Sequence, residues 1–417
     1  MATNAEFNNM LNEHLAYDLL KAEYLERAWL INNVEKDLKW LSGDVIVPFK
    51  GAQATSIKFG GLTDENDVSK YKYVRGKVTN QPEAWATLKF DHKDLMRHGK
   101  VSEQNFLQIL PDQLEEMMDY FKMLSSIQMM SGTAFAVVKD DTNAATGVMV
   151  VDKVDRFELD QKCVIIDNDT AQLEVYVIAI DINTDEVTFS ASRGGAFVNL
   201  AAYTVAQAAK LYHDGVLVGG VPTNHFASMR QILLSATNGG DANYLGFAKT
   251  AYPYLQALNI AGTAITEANL VPKLFDAVTQ LRTKARGKGD TFVLSYKHLG
   301  SVMKYIETQK GPFKVTVGQT KVSLYGWTEI EITSVKGMIK IVGVLEMPDD
   351  IIYLLDMKSW KFHSNGLFQK RVSPEGNFYY EVRVGSGYFY LVDICLMGEL
   401  VCSSLVSNAI IFDVDYP

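Results

Sequence analysis

Apolar residues near the start of the chain recur with the period of an α-helix. Leu11, Leu15 and Leu19 fall on one stripe, and charged residues occupy the opposite side. Apolar positions three to four residues apart give a helix one apolar face. The pattern predicts an amphipathic helix that ends near Gly43, because glycine readily terminates a helix. Residues 1–43 are therefore assigned to an N-terminal arm.

Beyond residue 43 the pattern changes from helical to extended. The run Val45–Phe49 is apolar and β-branched but contains Pro48, which is typical of an edge strand. In a second run, Tyr71–Phe90, Ala86 and Leu88 alternate with polar or aromatic neighbours, which is the periodicity of a strand. The two runs predict a long two-stranded arm. Such an arm is at best marginally stable alone in water, so we expect it to lie on a neighbouring copy of the chain.

The next segment carries a long helical stripe. Ser102 can accept a backbone N–H at a helix start, and Pro111 is tolerated in the first turn of a helix. Met117, Phe121 and Leu124 then follow one another down one face. The pattern predicts a long helix in two pieces, of which the second spans about 30 Å.

The remainder of the chain mixes strands with helices. The polar group Asn183–Glu186 separates two β-branched runs, Leu173–Ile182 and Val187–Ala191, which predicts a hairpin. Helices are predicted at Thr204–His213, Pro222–Ala236, Pro272–Arg286 and Lys297–Gln309, and strands at Thr291–Tyr296, Thr328–Ser334, Met338–Leu345, Ile351–Leu355, Phe378–Val384 and Phe389–Val401. This order is typical of an α+β fold with a mixed sheet.

Composition limits the class of protein. The 417 residues exceed one ordinary core, so two or more packed subdomains are expected. Because 40 basic residues stand against 49 acidic ones, the net charge is −9. Dedicated nucleic-acid binders are usually basic, so tight DNA or RNA binding is not the expected main role. The sequence has no recognisable secretory signal and no apolar run long enough to span a membrane.

No set of residues predicts catalysis, a cofactor or a metal. The seven histidines are scattered, and the three cysteines are too widely spaced to form a disulfide framework. Asp181, Asn183 and Asp185 imitate the start of a calcium loop. Glu186 and Ser192, however, stand where that loop requires glycine and glutamate. A polar hairpin turn is the better interpretation.

One basic group is open to two interpretations. Arg282, Lys284, Arg286 and Lys288 cluster near a predicted helix C-terminus, where cations interact favourably with the helix dipole. The same residues could instead form a patch that faces DNA. The structural interpretation is favoured over the DNA-binding one.

Several stretches resemble one family at the level of residues. They are Val45–Ala52 with Ser56–Gly60 and Trp85–Leu95 as the two strands of an extended loop, Val150–Ser192 as a β-rich insertion, and Thr291–Ile306 and Ile351–Asp356 as later strands and a helix. Each stretch alone is weak evidence, and their shared order carries the inference. In that order the chain resembles the Hong Kong 97-type major capsid proteins of tailed double-stranded DNA bacteriophages, the Caudoviricetes.

The resemblance implies an α+β, Hong Kong 97-like capsid fold. Its expected parts are an N-terminal arm (1–43), an extended E-loop (44–100), a peripheral domain (101–240) and an axial domain with return strands to the peripheral domain (241–417). The peripheral domain would contain a long spine helix and a β-rich insertion at about 145–200.

The resemblance also implies a structural role without enzymatic activity. Copies would self-assemble as a homo-oligomer of pentamers and hexamers into an icosahedral head around double-stranded DNA, which would be held by weak, non-specific contacts. Assembly would take place in the bacterial host cytoplasm, without a membrane, and the product would be a virion capsid. Scaffolding, portal and decoration or head-fibre proteins are the further partners that the family implies.

Contacts between subunits are expected on the E-loop. The predicted apolar contact residues are Phe59, Leu62, Tyr71, Tyr73, Trp85 and Phe90, with packing inside their own subunit as the alternative. Lys93, Arg97 and Lys100 are predicted to form ion pairs with another copy. Two other functions stay open, namely an encapsulin-like compartment around cargo protein and an unrecognised α+β enzyme.

Overall fold

A computed structural model of the chain describes residues 29–40, 43–52, 72–79, 82–91, 103–132, 134–167, 172–205, 209–218, 221–285, 287–309, 314–315, 329–334, 337–367, 369–371, 380–384 and 387–414. The helices within these residues are α1 (Trp29–Asn33), α2 (Glu103–Ser131), α3 (Met229–Leu233), α4 (Leu270–Gln280, continued by a π-helical turn over Leu281–Ala285) and α5 (Tyr296–Gln309).

The strands are numbered in chain order. They are β1 (Glu35–Asp37), β2 (Val45–Ala52), β3 (Lys72–Val78), β4 (Glu83–Asp91), β5 (Ala136–Asp140), β6 (Val148–Val151), β7 (Lys162–Ile166), β8 (Gln172–Asp181), β9 (Glu186–Ser190), β10 (Lys210–His213), β11 (Leu217–Val218), β12 (Val221–Pro222), β13 (Asn243–Tyr244), β14 (Phe247–Ala248), β15 (Leu258–Ala261), β16 (Thr291–Leu294), β17 (Lys314–Val315), β18 (Glu329–Ser334), β19 (Gly337–Gly343), β20 (Ile351–Leu355), β21 (Trp360–Ser364), β22 (Gln369–Lys370), β23 (Tyr380–Val384), β24 (Gly387–Cys402) and β25 (Ala409–Phe412).

The chain divides into two compact units. The first, which we name the barrel unit, contains Pro82–Ser228 and Phe368–Leu396. The second, the sheet unit, contains Ala28–Gln81, Met229–Leu367 and Met397–Pro417. The assignment of a peripheral and an axial domain, with the boundaries given above, stays a prediction.

Six strands of the barrel unit close into a barrel in the order β10-β5-β6-β9-β8-β7. Burial alternates along β8, so Val175 and Val177 point into a core that also contains Cys163, Val187 and Phe189. Closure matters because it leaves no strand edge without a partner. The predicted hairpin is confirmed as the antiparallel pair β8–β9.

The closing strand of the barrel corrects one prediction. The expected helix at Thr204–His213 is wrong, because Lys210–His213 forms β10 between β5 and β7. Ala209 and Leu211 are fully buried in the barrel core. Burial in a tertiary core outweighs the small intrinsic preference for a helix.

Helix α2 is continuous, so its predicted division into two pieces is wrong. Pro111 lies inside the helix rather than in its first turn, and it removes one backbone hydrogen bond. Helix-favouring leucine, glutamine, glutamate and methionine on both sides sustain the helix. Toward its C-terminus the helix buries Met118, Met129 and Met130, and Ile127 joins the barrel core.

The sheet unit is built on a seven-stranded sheet in the order β15-β25-β20-β16-β19-β18-β17. Two of its strand pairs, β15–β25 and β16–β19, are parallel and the other four are antiparallel, so the predicted α+β fold with a mixed sheet is confirmed. Phe292 and Leu294 of β16 share one core with Leu274 of α4 and Val302 of α5. All five residues of β20 are buried, as their uninterrupted apolar run predicts.

Two predicted helices are shorter than expected. The described part of the N-terminal helix ends at Asn33, and β1 then pairs in parallel with β21. The residues Glu35–Asp37 carry no apolar stripe that a helix could bury, so strand pairing satisfies their backbone instead. The helix expected at Pro222–Ala236 is reduced to α3, because Val221–Pro222 pairs with β11.

The predicted two-stranded arm is divided between the two units. β2 pairs with β3 in the sheet unit, from Val45 opposite Val78 to Ala52 opposite Lys72. β4 pairs with β24 in the barrel unit. Pro82, which has no backbone N–H, precedes β4 and interrupts the ladder, so the expected single strand from Tyr71 to Phe90 does not form.

Candidate contact surface

The β2–β3 ladder has one buried and one exposed face. Val47 and Phe49 of β2 lie opposite Gly76 and Val74 of β3, and these side chains are buried. Because side chains alternate along a strand, the intervening residues point the other way. We name this second set the outward face, and it consists of Ile46, Pro48, Lys50, Tyr73, Arg75 and Lys77.

Aromatic packing holds the buried face in place. The ring of Phe49 lies 5.6 Å from the ring of Phe247 and 5.6 Å from that of Tyr252, edge to face in both cases. Phe247 and Tyr252 also pack edge to face, at 5.6 Å. Such pairs contribute about 0.5–1.5 kcal/mol each beyond the burial of their area. Phe49 is therefore the main anchor of the ladder.

A tight turn packs against β3, the other strand of the ladder. Leu245 and Gly246 both have positive φ, +53° and +83°, which is the type I′ geometry that joins β13 to β14. The carbonyl of Leu245 accepts a hydrogen bond from the Lys77 N–H at 3.2 Å. A Cβ on Gly76 would lie 2.6 Å from the Leu245 Cβ. Glycine at position 76 is what allows this close approach.

A buried polar network lies behind the β13–β14 hairpin. The Tyr244 hydroxyl donates to the Cys402 carbonyl at 3.1 Å and accepts from the Cys402 N–H at 2.6 Å. Asn408 is fully buried, and its Oδ1 accepts from the Asp356 N–H at 2.8 Å and the Trp360 Nε1–H at 3.2 Å. The Asn408 Nδ2 donates to the Ser404 carbonyl, the Ser359 Oγ and the Cys402 Sγ. The network therefore joins the hairpin to the end of β24.

Lys249, which follows the hairpin, is a buried cation with two partners. Its Nζ donates to the carbonyls of Gln231 and Leu234, at 2.9 Å in each case. Burial lowers the pKa of Lys249 to about 8, although the nearby Asp241 carboxylate acts in the opposite direction. Both hydrogen bonds can persist when the amine loses its proton above that pH, because a neutral amine still has two N–H groups.

The outward face combines apolar and cationic side chains. Ile46 is 55% exposed and Tyr73 is 65% exposed, and they stand at opposite ends of the face with Arg75 between them. Lys77 pairs with Asp44 at 3.1 Å, and the Lys50 Nζ lies 5.0 Å above the ring of Tyr254. The exposed Lys77–Asp44 ion pair contributes little to stability. The outward face is therefore better suited to binding another surface than to stabilising the fold.

In the barrel unit, strand β4 presents a second exposed aromatic residue. Trp85 is 45% exposed. On the same face of the strand, the Thr87 hydroxyl donates to the Asp393 carboxylate at 2.7 Å, and the Lys89 Nζ lies 3.7 Å above the ring of Phe389. These contacts tie β4 to β24 and leave Trp85 at the surface.

The predicted contact residues have different outcomes. Tyr73 and Trp85 are exposed, and they belong to different units. Phe90 lies in β4. Phe59, Leu62, Tyr71, Lys93, Arg97 and Lys100 lie outside the described residues. Whether any of them contacts another subunit stays a prediction.

Sequence reasoning missed five of the six members of the outward face, namely Ile46, Pro48 and Lys50 of β2 and the cations Arg75 and Lys77 of β3. Ile46 could have been predicted from its place between Val45 and Val47, because successive side chains of a strand point to opposite faces and one face of an edge ladder is exposed. The two cations could have been found in the same way once β3 was separated from β4.

The structure gives no support for a chemical site among the residues that it describes. No group of three or more histidine, cysteine, aspartate or glutamate side chains is placed to hold a metal ion there. Burial raises the pKa of the Cys395 and Cys402 thiols to about 12 and that of Cys163 still further. Nor is any described helix long and apolar enough to cross a membrane.

Two residues of the basic group near α4 form hydrogen bonds within their own part of the chain. The Arg282 guanidinium donates to the Gly287 carbonyl at 2.7 Å and to the Gly289 carbonyl at 3.2 Å. Lys284 donates to the Gln280 side chain. These bonds favour the structural interpretation of the group over a DNA-facing patch.

Comparisons with known proteins identify the fold. No protein-family model and no curated protein matches the chain. A chain of the cyanophage A-1(L) capsid asymmetric unit is similar over 92% of this chain and 91% of that chain, with 12% identity and a TM-score of 0.50. The predicted Hong Kong 97-like capsid fold is thereby confirmed.

Two further solved structures match over similar lengths with lower scores. One is the capsid of the native GTA particle, with 10% identity, a TM-score of 0.45 and coverage of 93% of this chain and 90% of that chain. The other is the holo-SrpI encapsulin complex of Synechococcus elongatus, with 8% identity, a TM-score of 0.42 and coverage of 93% and 88%.

Proposed function

We propose that the chain is the major capsid protein of a tailed double-stranded DNA bacteriophage. The observation that carries the proposal is its fold, which corresponds to a chain of the cyanophage A-1(L) capsid over 92% of its length. Because the likeness covers nearly all of both chains, it concerns the whole architecture rather than one shared motif. The proposed activity is self-assembly into the pentamers and hexamers of an icosahedral head, without catalysis.

Exposed apolar residues support a role in contacts between copies. Ile46, Tyr73 and Trp85 are each about half exposed or more, so their side chains are accessible to another copy. The proposed contact set is Phe59, Leu62, Tyr71, Tyr73, Trp85 and Phe90, with Lys93, Arg97 and Lys100 in ion pairs. Each contact is weak, but a closed ring repeats it in every copy.

The remaining partners follow from the same proposal. Packaged double-stranded DNA would touch the inner surface weakly and without sequence preference, in keeping with the net charge of −9. Scaffolding, portal and decoration or head-fibre proteins would complete the particle. The product would be a virion capsid assembled in the cytoplasm of the bacterial host.

The proposal is tested by purifying the recombinant chain and examining it by negative-stain electron microscopy and light scattering. Hollow polyhedra, tubes or rings of five and six are expected, with scaffolding protein added if the chain alone stays dispersed. A strictly monodisperse monomer or dimer under every condition would overturn the proposal. If particles form in the native host, nuclease-protected DNA inside them supports the phage capsid, whereas enclosed protein indicates an encapsulin-like shell.

Two tyrosines of similar exposure provide a matched pair for the contact residues. Tyr73 is 65% exposed on the ladder, and Tyr296 is 58% exposed at the start of α5. Tyr73→Ser is expected to raise the protein concentration needed for assembly several-fold, whereas Tyr296→Ser changes it less. Equal effects of the two changes would argue that the ladder has no special role.

A further inference from the structure

The tip of the β8–β9 hairpin is acidic and carries an exposed apolar side chain. Ile182 is 75% exposed, and the acidic residues Asp181, Asp185 and Glu186 surround it along the chain. We name these four residues the acidic tip. Ile182 is the most exposed large hydrophobic side chain in the part of the chain that the structure describes.

The acidic tip has a defined shape. The Asp181 carboxylate accepts a hydrogen bond from the Asn183 N–H at 2.9 Å, and the Asp185 carbonyl accepts one from the Val151 N–H at 3.0 Å. The second bond ties the turn to a neighbouring strand of the closed barrel. A preformed element of this kind loses little conformational entropy when it binds.

The outward face of the ladder is the chemical complement of the acidic tip. It has three cations, Lys50, Arg75 and Lys77, of which Lys77 pairs with Asp44 at 3.1 Å, and it carries Ile46 and Tyr73. From Ile46 to Lys50 the face is about 14 Å long, at ~3.4 Å per residue. A hairpin tip only two strands wide can lie along such a face, with its apolar residue between the two exposed apolar side chains.

We propose that the acidic tip of one copy docks on the outward face of the β2–β3 ladder of a neighbouring copy. The inference rests on the proposed function, because it names a contact by which capsid subunits recognise one another. Attraction between opposite charges sets the orientation and the rate of encounter. The contact joins two different surfaces, so it leads from copy to copy around a ring.

Charge reversal tests the contact in two variants. The tip variant carries Asp185→Lys and Glu186→Lys, and it keeps Asp181 because that carboxylate shapes the turn. The ladder variant carries Arg75→Glu and Lys77→Glu. Each is expected to raise the concentration for half-maximal assembly on the order of tenfold, because attraction becomes repulsion in every copy. Both variants should still unfold cooperatively, the ladder variant at the temperature of the parent. The tip variant should unfold at a slightly lower temperature, because Asp185 has a φ of +55°, which lysine adopts less readily than aspartate. Lys284→Glu with Lys288→Glu, a charge change of equal size at two exposed positions, is the control and should assemble normally.

Mixing the two variants then distinguishes a contact between copies from a contact within one chain. In an equimolar mixture the reversed tip of one variant meets the reversed ladder of the other, so assembly returns, and alternation favours rings with an even number of copies. A contact inside one chain would be restored only by combining all four changes in that chain, and this outcome would overturn the inference. Normal assembly of the tip variant alone and of the ladder variant alone would also overturn the inference, and it would leave the proposed function intact. Failure of the parent chain to assemble would instead count against the proposed function.

Discussion

Replacing Asn408 by leucine removes the centre of the buried polar network while keeping the side-chain volume nearly constant. The change leaves the Trp360 Nε1–H and the Asp356 N–H without the acceptor that they share. Trp360 is fully buried, so water cannot replace the lost partner. A buried donor without an acceptor costs about 1–3 kcal/mol, and two such donors lead us to expect a loss of about 2–6 kcal/mol in the free energy of unfolding.

The assay is denaturant unfolding of the unassembled chain, followed by far-ultraviolet circular dichroism and tryptophan fluorescence. Asn224→Leu is the control, because that exposed side chain donates only to the Gly215 carbonyl and should cost less than about 1 kcal/mol. Amide exchange should also quicken in β13 and β14, since Tyr244 reaches the network through Cys402. A loss in Asn408→Leu no larger than that of the control would refute the reasoning.

Substitutions at three further positions probe the ladder and the hairpin region that supports it. Phe49→Ala should lower the free energy of unfolding by about 3–5 kcal/mol and Phe49→Leu by clearly less, as measured by the same denaturant titration. Gly76→Ala should cost about 1–3 kcal/mol, because the new Cβ would stand 2.6 Å from that of Leu245, and an unchanged unfolding midpoint would contradict this. The pKa of Lys249 is about 8 in the folded chain and higher in the unfolded chain. At a pH between these two values, Lys249 is protonated in the unfolded chain and neutral in the folded chain. Stability should therefore rise with pH above about 8, by at most ~1.4 kcal/mol per pH unit, and unfolding at several pH values should show that Lys249→Met abolishes the rise.

The sequence predicts the sheet unit better than the barrel unit, for a physical reason. An apolar run such as Ile351–Leu355 has no alternative to burial on both faces, so its pattern alone identifies a central strand. The four residues of β10 carry no such signal, because they become a strand only by filling the gap between β5 and β7. The division of the arm between β3 and β4 likewise depends on β24, which lies about 300 residues further along the chain.

The candidate surface was predictable in part. Tyr73 and Trp85 could be identified as exposed aromatic residues from strand alternation alone. The supports of the ladder could not, because Phe49 meets Phe247 and Tyr252 some 200 residues away in sequence. A single sequence has no local pattern that records such a contact.

The position of β25 has a consequence for the time at which the sheet unit can form. Ala409–Phe412 comes after every other strand of its sheet in chain order, yet it lies inside the sheet, between β15 and β20. On a ribosome the sheet would stay open at that position until these residues had left the exit tunnel. The barrel strands, in contrast, lie within Ala136–His213 and can pair much earlier. Synthesis thus imposes an order on folding, in which the sheet unit is completed last. Because the sheet unit carries the outward face, unfinished chains would lack a complete contact surface and would associate less readily.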